Sequence, residues 1–200
     1  MAIRAGADAL GLVGKMPSGP GPISDELIAE ISNMIHPPIA SFLLTSEQSS
    51  KGIIEHLKRV NTNTVQIVDE LIEGEYVHIR EALPHIKIIQ VIHVNGEECI
   101  DQALSLQDHI DAILLDSGNP FLPVKTLGGT GNTHNWTISR DLVKAAKVPV
   151  FLAGGLNPSN VREAIDVVQP FGVDVCSGVR TNGKLDKQKL NAFVKAVFIE

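Results

Sequence analysis

The chain has 200 residues, 44% of them hydrophobic, which is enough to bury one substantial core, so we expect a single domain spanning residues 1–200. A formal net charge of -6 and a pI near 5.6 exclude a basic surface of the kind that binds nucleic acid. No apolar run reaches membrane-spanning length and no signal-peptide pattern opens the chain, so we expect a cytoplasmic protein that contacts no membrane. The two cysteines, Cys99 and Cys176, have no metal-binding spacing, and we expect neither a metal nor a cofactor.

Short apolar runs alternate with amphipathic helical segments along the whole chain. Strands are predicted over residues 9–13, 39–44, 64–68, 86–94, 110–115, 148–152 and 173–175. Helices are predicted over residues 24–35, 51–60, 75–83, 97–106, 137–146, 159–168 and 185–197. Buried strands that alternate with amphipathic helices are typical of parallel βαβ units.

The strand count indicates an α/β fold, a (β/α)8 TIM barrel in which seven strands are recognisable. Residues 1–6 are typical of the last turn of a helix, with Gly6 in the position of a C-terminal glycine, or of a frayed lead-in to the first strand. A closed barrel has eight strands, so the first interpretation predicts that the sequence as written begins inside a βα unit, in a barrel that is incomplete at its N-terminus. Because open sheet edges invite pairing, we expect a homo-oligomer or a lowered stability.

In such a barrel the active site lies at the C-terminal ends of the strands. The residues predicted there are Lys15, Thr45, Asp69, His93, Asp116, Gly154, Gly155, Ser177 and Gly178. Glycine turns that lead into helices let backbone N–H groups approach an anion, so Gly154, Gly155, Ser177 and Gly178 are predicted to bind phosphate. The alternative is that these glycines only permit tight turns between strand and helix.

Asp116 ends an apolar strand and is followed by about 20 residues without helical or strand periodicity, which is long for a connection without a function. A carboxyl group at a strand end in an apolar mouth has its pKa raised by desolvation and can keep a proton available. The glycines in the GGTG stretch at 128–131 would let this segment fold over a ligand.

Several motifs resemble those of one enzyme family. They are GADALGLV at 6–13, LLDS with LGGTG and a following tryptophan at 114–136, AGGLNPSNVREAIDVVQPFGVDVCSGV at 153–179, and the closing helix. These stretches are similar to phosphoribosylanthranilate isomerase of tryptophan biosynthesis over almost the whole chain. The resemblance implies an isomerase whose small-molecule substrate, N-(5-phosphoribosyl)anthranilate, is rearranged from an aldose to a ketose derivative.

The resemblance also implies roles for individual residues. Asp116 occupies the position of the general acid that protonates the sugar ring oxygen. Gly129 and Gly131 would close near the substrate phosphate, which Gly154, Gly155, Ser177 and Gly178 would hold.

Some family positions differ in this sequence. The family's general base is a cysteine in a Cys-Gly motif on the first strand, and it has no counterpart here. The arginine that binds the anthranilate carboxylate is absent from residues 18–24, and a Gln-Leu-His-Gly motif reads Gln-Ile-Val-Asp at 66–69, so its histidine is gone. The family's Phe-Asp-Trp reads His-Asn-Trp at 134–136. We therefore expect the base to come from outside the 200 residues and the chain as written to turn over poorly. The alternative function is a divergent barrel that binds a sugar phosphate without this isomerisation.

Overall fold

A computed structural model describes residues 1–17, 19, 21–119, 125, 127 and 131–198. Its main feature is a seven-stranded parallel sheet whose strands follow one another in chain order and curl into part of a barrel. The strands are β1 (Ala9–Val13), β2 (Ala40–Thr45), β3 (Thr64–Ile67), β4 (Lys87–His93), β5 (Ala112–Asp116), β6 (Val150–Leu152) and β7 (Gly172–Val173). The prediction of seven parallel strands is confirmed.

Helices cover the outer face of the sheet and connect its strands. They are α1 (Ala2–Ala5), α2 (Asp25–Met34), α3 (Ser50–Val60), α4 (Tyr76–Ala82), α5 (Glu98–Leu106), α6 (Trp136–Ala145), α7 (Val161–Val168) and α8 (Lys187–Val197). Gly6 ends α1 in the left-handed conformation, with φ of 106°, as the sequence predicted. The Ser24 side chain accepts a hydrogen bond from the Leu27 N–H and so caps α2. No helix in the described part of the chain is both long and apolar enough to span a membrane.

Two small elements between β7 and α8 were not predicted from the sequence. A short 3-10 helix covers Ser177–Val179, and a two-stranded antiparallel hairpin pairs β8 (Arg180–Thr181) with β9 (Lys184–Leu185). Within the described residues, β1 pairs only with β2 and β7 only with β6, so these two strands form the edges of the sheet.

Both faces of the sheet are apolar, because alternate residues of a strand point to opposite sides. In β4, Ile88 and Ile92 pack in the large cluster that includes the helices, whereas Ile89 and Val91 pack in a smaller cluster inside the curl. Leu127, from the long segment after β5, is buried in this interior cluster.

A network of hydrogen-bonded polar side chains, the α2–α3–β2 network, joins α2, α3 and the end of β2. The Asp25 carboxylate can only accept, so His56 donates from Nε2 to Asp25 over 3.0 Å. In the neutral ring, Nδ1 then accepts from the Thr45 hydroxyl, which lies 3.1 Å away. The Thr45 oxygen also accepts the Glu47 N–H, and Arg59 donates to Asp25 over 2.8 Å. Burial alone would raise the pKa of Asp25, but the hydrogen bonds and charges of Arg59 and His56 outweigh it and hold the pKa below its ordinary value.

Candidate functional site

The C-terminal ends of β5, β6 and β7 surround a pocket that opens to solvent. Five of the residues predicted for the site line this pocket, together with five that were not, among them Asp174 and Cys176. The five are Asp116, Gly131, Gly154, Gly155 and Ser177. Residues from three strand ends and from the segment before α6 therefore meet in one place, as expected when parallel strands end at one face of a barrel.

Asp116 is the last residue of β5 and is half-buried in the pocket wall. Burial raises the pKa of its carboxyl group, although the hydrogen bond from the Ser117 N–H (2.7 Å) and the charge of His93 act in the opposite direction. The carboxyl group thus holds a proton at higher pH than an ordinary aspartate, which is the property that a general acid needs.

Asp174 is a second carboxyl group in the same pocket, and the sequence analysis did not select it. The Asp174 side chain is exposed to the pocket. Desolvation by the pocket walls raises the pKa of Asp174 to about 6, and the charge of Asp116 contributes to this shift. Its backbone N–H donates to the Leu152 carbonyl, which fixes the chain directly after β7. Two carboxyl groups that raise each other's proton affinity do not both ionise readily.

The glycine turn after β6 is required by its surroundings. Gly154 and Gly155 have φ of 80° and 64°, in the region that residues with a side chain rarely adopt. A Cβ at Gly154 would lie 2.8 Å from His134 Nδ1 and 2.9 Å from the Ser117 nitrogen, and one at Gly155 would clash with the backbone of Asn132. The segment that precedes α6 therefore packs directly on this turn, where only glycine fits.

The turn is held by asparagine side chains at the start of α7. Asn157 and Asn160 both donate from Nδ2 to the Gly155 carbonyl, and Asn160 Oδ1 accepts the Asn157 N–H over 2.8 Å. At the neighbouring turn, a Cβ on Gly178 would clash with the Leu156 carbonyl oxygen. The two glycine turns are thus in contact with each other, at the N-terminal side of α7.

His134 lies against the same turn. Its Nε2 is 2.8 Å from the Ser139 hydroxyl, and burial lowers the pKa of His134 to about 4, so the ring is neutral at physiological pH. The chain therefore presents an uncharged imidazole beside Gly154, at the position where the family pattern has phenylalanine.

The remaining strand-end residues have different environments. Lys15 is exposed, whereas Thr45 is buried against His56 and does not face the pocket. Asp69 is buried and binds Lys125 over 2.6 Å, which connects the end of β3 to the segment after β5. His93 Nε2 lies 3.1 Å from the Val68 carbonyl oxygen. Gly129 and the altered residue Ser18 lie outside the described residues.

The two cysteines occupy different sites. Cys99 is buried in α5, and burial, with the charge of Glu98, raises the pKa of its thiol to about 11. Cys176 is half-buried beyond the end of β7 and lines the pocket. Within the described residues, no group of three or more His, Cys, Asp or Glu side chains is arranged to hold a metal ion.

Comparisons with known proteins agree with this architecture. The sequence pattern of the family described as N-(5'-phosphoribosyl)anthranilate (PRA) isomerase matches residues 23–196. The chain is 37% identical over 196 residues to N-(5'-phosphoribosyl)anthranilate isomerase 2 of Methanosarcina mazei, an alignment that covers 97% of this chain and 86% of that protein.

Solved structures of the same family are also similar. A crystal structure of monomers of the dimeric phosphoribosylanthranilate isomerase from Thermotoga maritima is 29% identical, with a TM-score of 0.77 and coverage of 98% of this chain and 90% of that one. A phosphoribosyl anthranilate isomerase in complex with reduced 1-(o-carboxyphenylamino)-1-deoxyribulose 5-phosphate is 29% identical, with a TM-score of 0.76 and the same coverage. The fold, the sequence match and its extent together establish that this chain belongs to the N-(5'-phosphoribosyl)anthranilate isomerase family.

Proposed function

We propose that this chain catalyses the isomerisation of N-(5'-phosphoribosyl)anthranilate in tryptophan biosynthesis, an aldose-to-ketose rearrangement of a sugar phosphate. The observation that carries the proposal is the pocket itself, in which a carboxyl group with a raised pKa lies beside two glycine turns. One end of such a pocket can protonate an oxygen, and the other can accept an anion. Both are needed for a substrate with a ribose ring and a phosphate.

Asp116 is the general acid in this proposal. Its proton passes to the ring oxygen of the ribose, the bond between that oxygen and C1 breaks, and the anthranilate nitrogen forms a Schiff base with C1. A general base then accepts the proton from C2 of the protonated Schiff base, which leaves the neutral enolamine. Loss of the proton from the C2 hydroxyl and uptake of a proton at C1 convert the enolamine into the ketose product. The pocket walls favour the first step because they raise the pKa of Asp116 and so keep a proton on it.

Asp174 faces the same space and is proposed to bind the sugar. When Asp116 holds the proton, Asp174 can remain ionised, since two neighbouring carboxyl groups titrate as a pair. An ionised carboxylate accepts strong hydrogen bonds, and the ribose hydroxyl groups are donors of the right kind. Asp174 would therefore orient the sugar with its ring oxygen towards Asp116.

The phosphate is proposed to bind at the two turns, through backbone N–H groups of Gly154, Gly155, Ser177 and Gly178, with Gly129 and Gly131 closing over it. The presence of glycine turns at two neighbouring strand ends, with Gly154, Gly155 and Ser177 lining one pocket, supports this role, because backbone without side chains lets N–H groups approach an anion closely. We further propose that the chain forms one domain and acts in the cytoplasm. We also propose that it assembles into a homo-oligomer, a proposal that the dimeric relative and the two sheet edges support.

The test is the fluorescence decay of freshly prepared phosphoribosylanthranilate, measured with the parent chain and with Asp116→Asn. Loss of a proton-transfer group typically reduces the rate by ~10²–10⁴-fold, so the variant should be slower by that factor. Ribose 5-phosphate should still bind to it, because the glycine turns are unchanged. A parent chain that binds ribose 5-phosphate but shows no decay would favour the alternative, a binding protein; equal rates for the two chains would contradict the role of Asp116.

A further inference from the structure

His93 is the neighbour of Asp116 on the adjacent strand. The two residues end β4 and β5 and stand directly opposite each other in the parallel register. The Val94 N–H donates to the Asp116 carbonyl oxygen over 3.0 Å, so the backbone holds the two strand ends together. Side chains at matching positions of paired strands lie on the same face of the sheet. The imidazole therefore lies between the end of β3, which it contacts at Val68, and the Asp116 carboxyl group.

The contact with Val68 determines which nitrogen of His93 carries the proton in the neutral ring. A carbonyl oxygen can only accept, so Nε2 donates to Val68 over 3.1 Å and the hydrogen is on Nε2. Nδ1 is then left with a lone pair. Nδ1 is buried and has no hydrogen-bond partner within the described residues. Nδ1 is therefore the atom at which a second proton would make the ring a cation.

Charged side chains from several elements surround the end of β5, where the Asp116 carboxyl group lies. From β4, the charge of His93 lowers its pKa; from β7, Asp174 interacts with it as a second carboxyl group, and each disfavours ionisation of the other. The Lys125 ammonium, from the segment after β5, pairs with Asp69 at the end of β3. His93 is thus the titratable cation at the strand end next to Asp116, on the side away from Asp174.

We propose that His93 is a positioning residue that acts through Asp116: protonated at Nδ1, it stabilises the carboxylate that Asp116 becomes when it gives its proton to the substrate. This role rests on the proposed function of Asp116 as the general acid. It makes Asp116 a stronger proton donor than burial beside Asp174 would allow. No covalent bond forms on His93, whose proton exchanges with solvent.

The experiment uses the full chain labelled with ¹³C at the aspartate carboxyl carbons and ¹⁵N at the histidine rings. His93→Gln keeps a side-chain N–H for Val68 but cannot become a cation, and His36→Gln, at an exposed position, is the matched control. The carboxyl signal of Asp116, assigned by its absence in Asp116→Asn, should titrate at higher pH in His93→Gln than in the parent chain, and should be unchanged in His36→Gln. An Asp116 titration that is the same in all three chains would overturn the proposal.

Two readouts separate this proposal from a general loss of structure. In the parent chain the ¹⁵N shifts should show His93 protonated on Nε2 when neutral, and protonation on Nδ1 instead would contradict the assignment without any variant. In the isomerase assay, His93→Gln should lower kcat about tenfold, less than the loss of the acid itself, and should extend activity to higher pH. If the parent chain has no isomerase activity, the proposed function fails, while the titrations still decide whether His93 controls Asp116.

Discussion

In two polar regions of this chain, the pKa values of the aspartates are shifted in opposite directions. In the chain of hydrogen bonds that joins α2, α3 and β2, Asp25 binds His56 and Arg59, and its pKa is lowered. In the pocket at the ends of β5–β7, Asp116 and Asp174 face each other's charge and the pocket walls, and the pKa of each is raised. The first arrangement satisfies its polar groups and stabilises the fold; the second leaves carboxyl groups able to hold and give up protons.

The opposite pKa shifts indicate that the α2–α3–β2 network stabilises the fold, whereas the pocket lowers its stability. Buried polar groups with partners contribute modestly to the folded state, whereas groups kept without full compensation are typical of functional sites. Changes in the pocket should therefore affect ligand binding and turnover more than folding. Changes in the α2–α3–β2 network should do the reverse.

The largest effect is expected at the glycine turn. Gly155→Ala would place a Cβ against the Asn132 backbone at a positive φ, so the turn must distort and saturable binding of ribose 5-phosphate should be lost. Gly183→Ala is the matched control, because Gly183 also has a positive φ, 76°, but has no atom within 4 Å of the added Cβ. Isothermal titration of both variants measures the difference. Normal affinity in Gly155→Ala would show that this turn is not the anion site.

The next effect is on stability alone. Thr45→Val removes the hydroxyl group that donates to His56 Nδ1 and leaves that buried nitrogen without its partner, which should lower the free energy of unfolding by roughly 1–3 kcal/mol. Thr62→Val is the control: Thr62 is also buried, but its hydroxyl has no partner within the described residues, so its loss should be neutral or stabilising. Urea denaturation of both variants gives the comparison. Equal destabilisation by the two would contradict the role of the network.

A smaller, pH-dependent effect is expected at Asp174. Its pKa rises from an ordinary 3.8 to about 6 on folding, so its contribution to stability is fully present below 3.8 and is lost as the pH rises through about 6. Asp174→Asn cannot titrate, so this loss of stability with rising pH does not occur in the variant. The melting temperature of the variant minus that of the parent should therefore increase from pH 4 to pH 7.

Asp111 provides a control of opposite sign. Burial raises its pKa, but the Ile88 N–H, the Lys87 hydrogen bond and the charges of Arg80 and Lys87 outweigh it, so the net pKa is lowered. Its stabilising contribution is present above its unfolded pKa and is lost as the pH falls, so Asp111→Asn should be destabilised most at neutral pH. Parallel pH trends for the Asp174 and Asp111 variants would argue against the contrast between the two regions.

The sequence predicted the strand order and the pocket better than it predicted the polar partners. Strands and helices followed from apolar periodicity, and the site followed from the rule that parallel strands end at one face. Asp174 was missed because the predicted strand 173–175 placed it inside a strand, whereas β7 ends at Val173 and Asp174 follows it. The hairpin after the 3-10 helix did leave a signal, since Asn182 and Gly183 form the Asn-Gly pair favoured in tight turns.

The partners of buried polar residues could not be predicted in this way. Thr45, His56 and Asp25 lie on three different elements, up to 31 positions apart, and periodicity does not specify which polar side chains of neighbouring elements meet. The same holds for His93, whose significance depends on the carbonyl of Val68 and on its register with Asp116.

The most direct test of the contrast is one carbon-13 titration of the aspartate carboxyl groups in the parent chain. Asp174 should titrate near pH 6 and Asp116 above 3.8, while Asp25 and Asp111 should titrate below 3.8. Addition of ribose 5-phosphate should perturb the signals of Asp116 and Asp174 and leave those of Asp25 and Asp111 unchanged. Titration of Asp116 and Asp174 at or below 3.8 would contradict the account, because the pocket would then hold no carboxyl group able to protonate the sugar.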